Sequence, residues 1–207
     1  GKLSGQAWAT GYMGGIFCLL IILFGFIQND NSFLGLDKNS SENIRIAGPI
    51  VAIWFILFSL PLLFSLPRAK PKKNLELSNI ILPIIYDIKS LFKGSEKGKF
   101  LLSRMIYTDG LNTLFAFGGL YAAGTFKMDF SEIILFGILI NITAGLGAFI
   151  FSFIDDFIGP KKVIIISLVL IIIIGFFTLL INEKIHFMIL GSSLGFFIGS
   201  VQSSSRS

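Results

Sequence analysis

Six long apolar segments are the feature that most constrains the fold of this chain. They cover residues 7–27, 46–66, 100–124, 131–153, 163–181 and 187–203. A helix needs about 20 consecutive apolar residues to cross the hydrocarbon core of a bilayer, and each segment is close to that length. Only 14% of the 207 residues are charged, whereas a soluble domain has about a quarter. The sequence therefore predicts an all-α, multi-pass integral membrane protein whose first partner is the lipid bilayer.

The third segment carries polar side chains that are costly at bilayer depth. At about 100° per residue, Arg104, Thr108, Asp109, Asn112 and Thr113 fall on roughly one half of a helix. The other half is bulky and apolar. Such a helix either lines a solute pathway or packs closely on its neighbours. We take Arg104, Asp109, Asn112 and Thr113 as candidates for a substrate pathway.

Stripes of small residues mark the fourth and sixth segments. In the fourth, Asn141 shares its stripe with glycines and alanines, and its amide either binds a substrate or joins two helices. In the sixth, glycines at four-residue spacing are followed on the same stripe by Gln202 and Arg206. The arginine either pairs with an anion or extends to the membrane surface. Asn141, Gln202 and Arg206 complete the pathway candidates.

A charged stretch, residues 67–99, separates the second and third segments. Apolar residues recur at helical spacing over its second part, which predicts an amphipathic helix on the membrane surface that starts or breaks at Pro83. A binding arm for an anionic partner is the alternative. Lys and Arg concentrate in this stretch and beside the two chain ends, which places all three in the cytoplasm. This bias explains the net charge of +5 without a nucleic-acid partner.

A short charged connection joins the fourth and fifth segments. Asp155 and Asp156 precede a turn at Gly159, and Lys161 and Lys162 follow it. The acids either cap the following helix or pair with a base on a neighbouring helix, and the lysines hold the connection on the cytoplasmic side.

This connection resembles the inner-loop signature of the major facilitator superfamily, Gly-x-x-x-Asp-Arg-x-Gly-x-basic-basic. Four positions match, namely Asp156, Gly159, Lys161 and Lys162. Ser152 stands in place of the first glycine and Phe157 in place of the arginine. These two departures weaken the charge-relay role that the signature implies.

A narrower likeness covers most of the chain. Residues 11–15, 107–113, 155–162 and 202–207 carry, in the right order, motifs similar to those of the vacuole-effluxer-like branch of the superfamily. That branch includes bacterial permeases and a fungal vacuolar amino-acid exporter. The resemblance implies a secondary active transporter that moves a small solute, such as an amino acid, by alternating access, with a proton or an ion as a candidate coupling partner.

The resemblance also implies a domain organisation. A transporter of this superfamily has twelve helices in two halves, and the six segments would be its fifth to tenth helices. Residues 1–66 would then end the N-terminal half, 67–99 would be the cytoplasmic linker, and 100–207 would begin the C-terminal half. Because the chain begins without Met and stops after an apolar segment, we expect an internal fragment. A bacterial cytoplasmic membrane is the expected location.

Two other classes of protein compete with a transporter. A non-transporting membrane scaffold or receptor would also have stripes of small residues. An intramembrane aspartyl protease would need two facing membrane aspartates, and Asp109 has only Asp87, in the linker, as a potential partner. The apolar segments contain no histidine, and no metalloprotease or serine-hydrolase motif occurs. With Cys18 as the single cysteine, we expect no disulfide, no metal site, no cofactor and no enzymatic activity.

Overall fold

The computed structural model of the protein describes residues 1–29, 34–65, 77–92 and 96–206. Within these residues, the regular structure is helical throughout. The elements are α1 (Lys2–Ile22), continued by a π-helical turn (Leu23–Ile27), α2 (Glu42–Arg45), α3 (Ala47–Ser65), α4 (Leu77–Phe92), α5 (Glu96–Phe126), α6 (Phe130–Ile158), α7 (Pro160–Leu179) and α8 (Lys184–Ser204). The basic first part of the predicted linker, residues 67–76, lies outside the described residues.

Five predicted spans are confirmed as helices that are long and apolar enough to cross a membrane, among the residues described. They are Lys2–Ile27, Glu42–Ser65, Phe130–Ile158, Pro160–Leu179 and Lys184–Ser204. The remaining predicted span is part of α5, a single helix of 31 residues. It is long enough to cross a bilayer, but its polar half and its charged first turn lower its hydropathy. The structure therefore supports a multi-pass membrane protein without confirming the count of six.

The chain forms two compact units. The first contains residues Gly1–Leu57 and Gly118–Ser207, and the second contains Phe58–Phe117. In the first unit, α6 packs against both α1 and α8, and α7 packs against α8. The second unit contains the last part of α3, the helix α4 and the first part of α5.

Glycines allow α6 and α8 to pack backbone against backbone. A Cβ added at Gly147 would overlap the carbonyl group of Phe196, and one added at Gly199 would overlap that of Ala144. One added at Gly195 would lie 2.7 Å from the carbonyl oxygen of Ile140. Small residues let the backbones of membrane helices approach this closely. The dispersion contacts that result then stabilise the helix pair in place of the hydrophobic effect.

Aromatic side chains pack together in the first unit where α5 ends and where α6 and α8 begin. Phe187 at the start of α8 stacks on Phe126, with ring centroids 4.5 Å apart, and lies 5.0 Å from the ring of Phe136. Nearby, Glu132 completes a capping box with Asp129 at the start of α6. Its carboxylate also forms an ion pair with Lys184, whose Nζ lies 2.7 Å from Oε1. Aromatic packing and a charged rim thus fix the starts of α6 and α8 together.

The helix of the predicted linker differs from the prediction at Pro83. The helix α4 runs from Leu77 to Phe92 with Pro83 in its interior, so a start or a break at this proline is wrong. Proline removes one intrahelical hydrogen bond, and in α4 that loss does not end the helix. The apolar side chains of Ile81, Ile84, Ile85 and Ile88 are exposed.

The connection between α6 and α7 is shorter than predicted. Asp155 and Asp156 lie in the last turn of α6, and Gly159 alone separates that helix from Pro160, the first residue of α7. Gly159 adopts a φ of 86°, which glycine tolerates, and proline suits a first helical position. The N-cap of α7 is therefore Gly159, which has no side chain. Of the two roles considered for the aspartates, capping of the following helix is wrong.

Candidate functional site

The polar half of α5 forms an open groove in the second unit. Arg104, Thr108, Asp109 and Asn112 line it together with apolar side chains of the same helix, around a volume of about 730 Å³. Thr113 lies one residue further along and is exposed, but it does not line the groove. The predicted grouping of Arg104, Asp109 and Asn112 is thus present in the structure, and it comes from a single helix.

The two charged groups of this groove do not pair with each other. Asp109 is exposed and Arg104 is half-buried, and neither makes an ion pair within the described part of the chain. They are five positions apart in sequence, which is about 140° around a helix. Leu111, seven positions after Arg104, is 5% exposed, whereas the apolar side chains of Ile106 and Phe117 are 64% and 62% exposed. Exposure along this part of α5 is therefore not confined to its polar half.

Asn141 faces α1 from the middle of α6. Its amide nitrogen donates to the carbonyl of Gly137 in its own helix at 2.8 Å. Its side-chain oxygen lies beside α1, where a Cβ added at Gly15 would be 3.4 Å away. This position fits the interpretation of Asn141 as a packing residue between two helices better than the interpretation as a substrate ligand.

Polar and aromatic side chains join the first three turns of α1 to the last turn of α8 and to Arg206, which follows that helix. Tyr12 donates a hydrogen bond to the side-chain oxygen of Gln202. The hydroxyl of Ser4 donates to the carbonyl of Ser203 at 2.8 Å. The guanidinium of Arg206 lies 5.0 Å from the centre of the Trp8 ring, within the range of a cation–π contact. We call Ser4, Trp8, Tyr12, Gln202, Ser203 and Arg206 the α1–α8 cluster.

The α1–α8 cluster contains two buried donors that lack a hydrogen-bond acceptor among the described residues. They are the indole nitrogen of Trp8 and the hydroxyl of Ser203, whose residue is 1% exposed. An open groove of about 530 Å³ borders Trp8 and is lined by Leu3, Ser4, Ala7, Trp8 and Arg206. Sequence reasoning identified Gln202 and Arg206 but missed Trp8. The signal that could have found it is the spacing of four residues between Trp8 and Tyr12, which places both rings on one face of a helix.

The residues of the inner-loop signature lie where α6 ends and α7 begins, at the end of the first unit that also contains the α1–α8 cluster. Asp155 is 4% exposed, while Asp156, Lys161 and Lys162 are exposed. Each charge sits at the helix end where the helix dipole disfavours it, so the dipoles do not account for this pattern. Ser152, which replaces the first glycine of the signature, is fully buried and meets Gly5 of α1. The small residue at this helix contact is therefore supplied by α1.

The candidate residues thus fall into the two compact units. Arg104, Asp109, Asn112 and Thr113 belong to the second unit. Asn141, the α1–α8 cluster and the signature residues belong to the first. In the part of the chain that the structure describes, no group of three His, Cys, Asp or Glu side chains could hold a metal ion. The single cysteine, Cys18, is buried.

Comparison with known proteins relates the whole chain to one family. The model of the vacuole effluxer Atg22-like family matches residues 1–207. Autophagy-related protein 22 of Vanderwaltozyma polyspora is 27% identical over 172 residues, which are 71% of this chain and 31% of the relative. The protein of the same name from Cryptococcus neoformans is 26% identical over 156 residues, 69% of this chain and 26% of the relative. That from Yarrowia lipolytica is 25% identical over 170 residues, 71% of this chain and 28% of the relative.

These relatives qualify two expectations about the chain. It spans about a quarter to a third of the length of the curated relatives that it matches. Those relatives are fungal, so the bacterial cytoplasmic membrane expected from the sequence gains no support from them. No solved structure matches the chain. The family model covers every residue, and the chain therefore belongs to the vacuole effluxer Atg22-like family.

Proposed function

We propose that the chain is the middle part of a secondary active transporter of the major facilitator type, which exports a small polar solute by alternating access. The family is described as vacuole effluxers, and five helices of the chain are long and apolar enough to span a membrane. The observation that carries the proposal is the groove of α5. There an arginine, an aspartate and an asparagine line one side of the helix within its long apolar segment.

The physical reason is the cost of charge in a bilayer. An ionised side chain facing lipid at bilayer depth costs a few kcal/mol on insertion scales, so such residues face a watery cavity or a partner inside the protein. Arg104 and Asp109 have no ion-pair partner within the described residues. A water-filled pathway on that side of α5 supplies the solvation that both charges need.

The chemistry of the groove suits a small polar solute. Asp109 contacts a cationic group of the solute, or binds and releases a coupling proton, and Asn112 and Thr113 supply hydrogen bonds beside it. Arg104 pairs with an anionic group. Amino acids carry both kinds of charge and are the substrates that we propose. Gln202 and Arg206 belong to the inner end of the pathway.

The proposed topology places both chain ends and the linker in the cytoplasm. The start of α1 meets the end of α8 through Ser4 and Ser203, and it meets the end of α6 through Gly5 and Ser152. The proximity of these three helix ends supports a topology in which they lie on one side of a membrane. The distribution of Lys and Arg supports the cytoplasm as that side. Residues 1–66 and 100–207 then belong to the two halves of the transporter.

The test is transport by the full-length protein in proteoliposomes under an imposed pH gradient, with a set of radiolabelled amino acids. Asp109→Asn keeps the shape and part of the hydrogen bonding of the side chain, but it cannot titrate. We expect this variant to reach the membrane and to lose transport driven by the pH gradient. Glu183→Gln removes one negative charge from an exposed position between α7 and α8 and serves as the matched control.

Three outcomes separate the explanations. If Asp109→Asn transports with the pH profile of the parent protein, the coupling role of Asp109 is wrong. If the variant fails to accumulate while Glu183→Gln accumulates, Asp109 locks helices together instead. If the full-length parent protein moves none of the solutes in either direction, the proposed transport of amino acids is wrong.

A further inference from the structure

We propose that α4 binds anionic phospholipids at the membrane surface, with its apolar face in the leaflet and its neighbouring lysines at the headgroups. The sequence left two explanations open for this stretch, a helix on the membrane surface and a binding arm for an anionic partner. The structure of α4 favours both together, since the lipid is then the anionic partner. The placement at the cytoplasmic leaflet rests on the proposed function, but the contact with lipid can be measured without a substrate.

One face of α4 is apolar from end to end. At about 100° per residue, eight of its Leu, Ile and Phe residues share an arc of about 140°, and Leu82 alone lies outside that arc. Four isoleucines on the arc, namely Ile81, Ile84, Ile85 and Ile88, are each 41–52% exposed. An amphipathic helix with such a face lies in the plane of a bilayer, with the apolar side chains between headgroups and acyl chains.

Pro83 lies on the other side of α4, and this position explains why the helix continues through it. A proline at position 83 leaves the carbonyl of residue 79 without its intrahelical hydrogen bond. Residue 79 is about 170° from the centre of the apolar arc, and Pro83 is about 130° from it. Water can satisfy that carbonyl on the solvent side of a surface helix, whereas the hydrocarbon of a bilayer offers no donor. The proline is therefore tolerated when the isoleucines face the lipid and the polar side faces water.

The length and the connections of α4 place it along the membrane surface instead of across the bilayer. Its 16 residues make a helix of about 24 Å, which is shorter than the hydrocarbon core of about 30 Å. The next helix, α5, begins at Glu96, four positions after Phe92 at the end of α4. Four residues reach at most about 14 Å. Because α5 contains the third apolar segment, α4 ends close to the place where that segment enters the membrane in the proposed topology.

Positive charge concentrates around α4. Residues 67–99 contain eight Lys and Arg and three Asp and Glu, and the rest of the chain contains nine of each kind, so this stretch accounts for the whole net charge of +5. Lys89 on α4 and Lys97 and Lys99 in the first turn of α5 are exposed. Lys99 pairs with Glu96 at 3.0 Å, whereas Lys89 and Lys97 make no ion pair within the described part of the chain. Each such cation near an anionic lipid surface strengthens binding about fivefold.

Spin labels on the full-length protein in nanodiscs test the orientation of α4. In a Cys18→Ser background, single cysteines replace either Ile84, on the apolar arc, or Tyr86, which is 73% exposed and about 160° away around the helix. Collisions with oxygen report lipid, and collisions with a water-soluble nickel chelate report solvent. In nanodiscs that contain anionic phosphatidylglycerol, we expect the Ile84→Cys label to favour oxygen and the Tyr86→Cys label to favour nickel.

The equilibrium between lipid-bound and solvated α4 tests the preference for anionic lipid. Its constant is read from the two spectral components of the Ile84→Cys label, at phosphatidylglycerol fractions from zero upward. Lys89→Gln with Lys97→Gln should lower this constant roughly 10- to 30-fold, which is about fivefold for each lysine. The matched control, Lys38→Gln with Lys127→Gln, removes two exposed lysines outside the linker and should leave the constant unchanged.

Three results would overturn the proposal. An Ile84→Cys label that favours nickel shows that the apolar face meets water. A label shielded from both reagents shows that this face packs on protein, either another segment of the transporter or a second copy of the chain. A binding constant that depends on neither phosphatidylglycerol nor the two lysines refutes the preference for anionic lipid. If the expected accessibilities occur in a parent protein that transports no solute, only the proposed function fails.

Discussion

Gly199→Ala tests the backbone contact between α6 and α8 on which the described fold of the first unit depends. An ideal Cβ at this position would lie 2.7 Å from the carbonyl carbon and 2.9 Å from the Cα of Ala144, and closer still to its oxygen. Ordinary contact begins near 3.4 Å. The carbonyl oxygen is the nearest atom, so the helices must separate at the crossing, which loosens the contacts of Gly147 and Gly195 as well.

Overpacking of this kind costs about 1–3 kcal/mol. Replacement of a helical glycine by alanine otherwise gains about 0.5–1 kcal/mol. Gly175 in α7 isolates that second effect, because a Cβ added there meets nothing within 4 Å. Gly175→Ala should therefore equal or exceed the parent protein in stability. Gly199→Ala should lie roughly 1–3 kcal/mol below Gly175→Ala, because both variants share the helical gain and differ only by the overpacking.

The assay is thermal unfolding of the detergent-solubilised protein, followed by size-exclusion chromatography of heated samples. A loss of 1 kcal/mol lowers Tm by roughly 2–4 °C for a chain of this size, so the two glycine variants should differ by several degrees. Equal Tm values would refute the close approach of α8 to Ala144. A loss of stability in Gly175→Ala would refute the use of open space around a glycine to predict a neutral variant.

Two further predictions concern the α7–α8 contact and the topology. Ser167→Ala and Ser200→Ala should each lower the free energy of unfolding by roughly 0.5–1.5 kcal/mol, and a double-mutant cycle should show coupling because the two hydroxyls bond to each other. The control is Ser193→Ala, whose hydroxyl bonds within its own helix. Additive losses, each equal to that of the control, would contradict the contact between α7 and α8. Single cysteines at Ser40 and Ser95, without Cys18, should react with an impermeant reagent from opposite sides of the membrane, and reaction of both from the outside would overturn the orientation drawn from the lysine and arginine bias.

Local hydrophobicity alone predicted most of the helices of this protein. A run of about 20 apolar residues satisfies its backbone as a helix in lipid whatever its neighbours are, so five spans could be located from the sequence. The polar half of α5 was also predictable, because the helical period fixes which of its side chains share a face. The same local reasoning was wrong at two residues that commonly interrupt helices. Pro83 does not interrupt α4, and Gly159 alone forms the connection for which a longer loop was predicted.

The tertiary structure decided which helix packs against each helix face. The glycines of α8 indicated close packing, but periodicity describes directions around one helix axis and contains no information about the helix that approaches. The structure shows that α6 fills that role, with Gly147 and Gly199 each meeting a carbonyl of the other helix. The α1–α8 cluster was hidden for the same reason. Its hydrogen bonds join residues 190 and 199 positions apart, and such pairs come together only when α1 and α8 pack at the same end of α6.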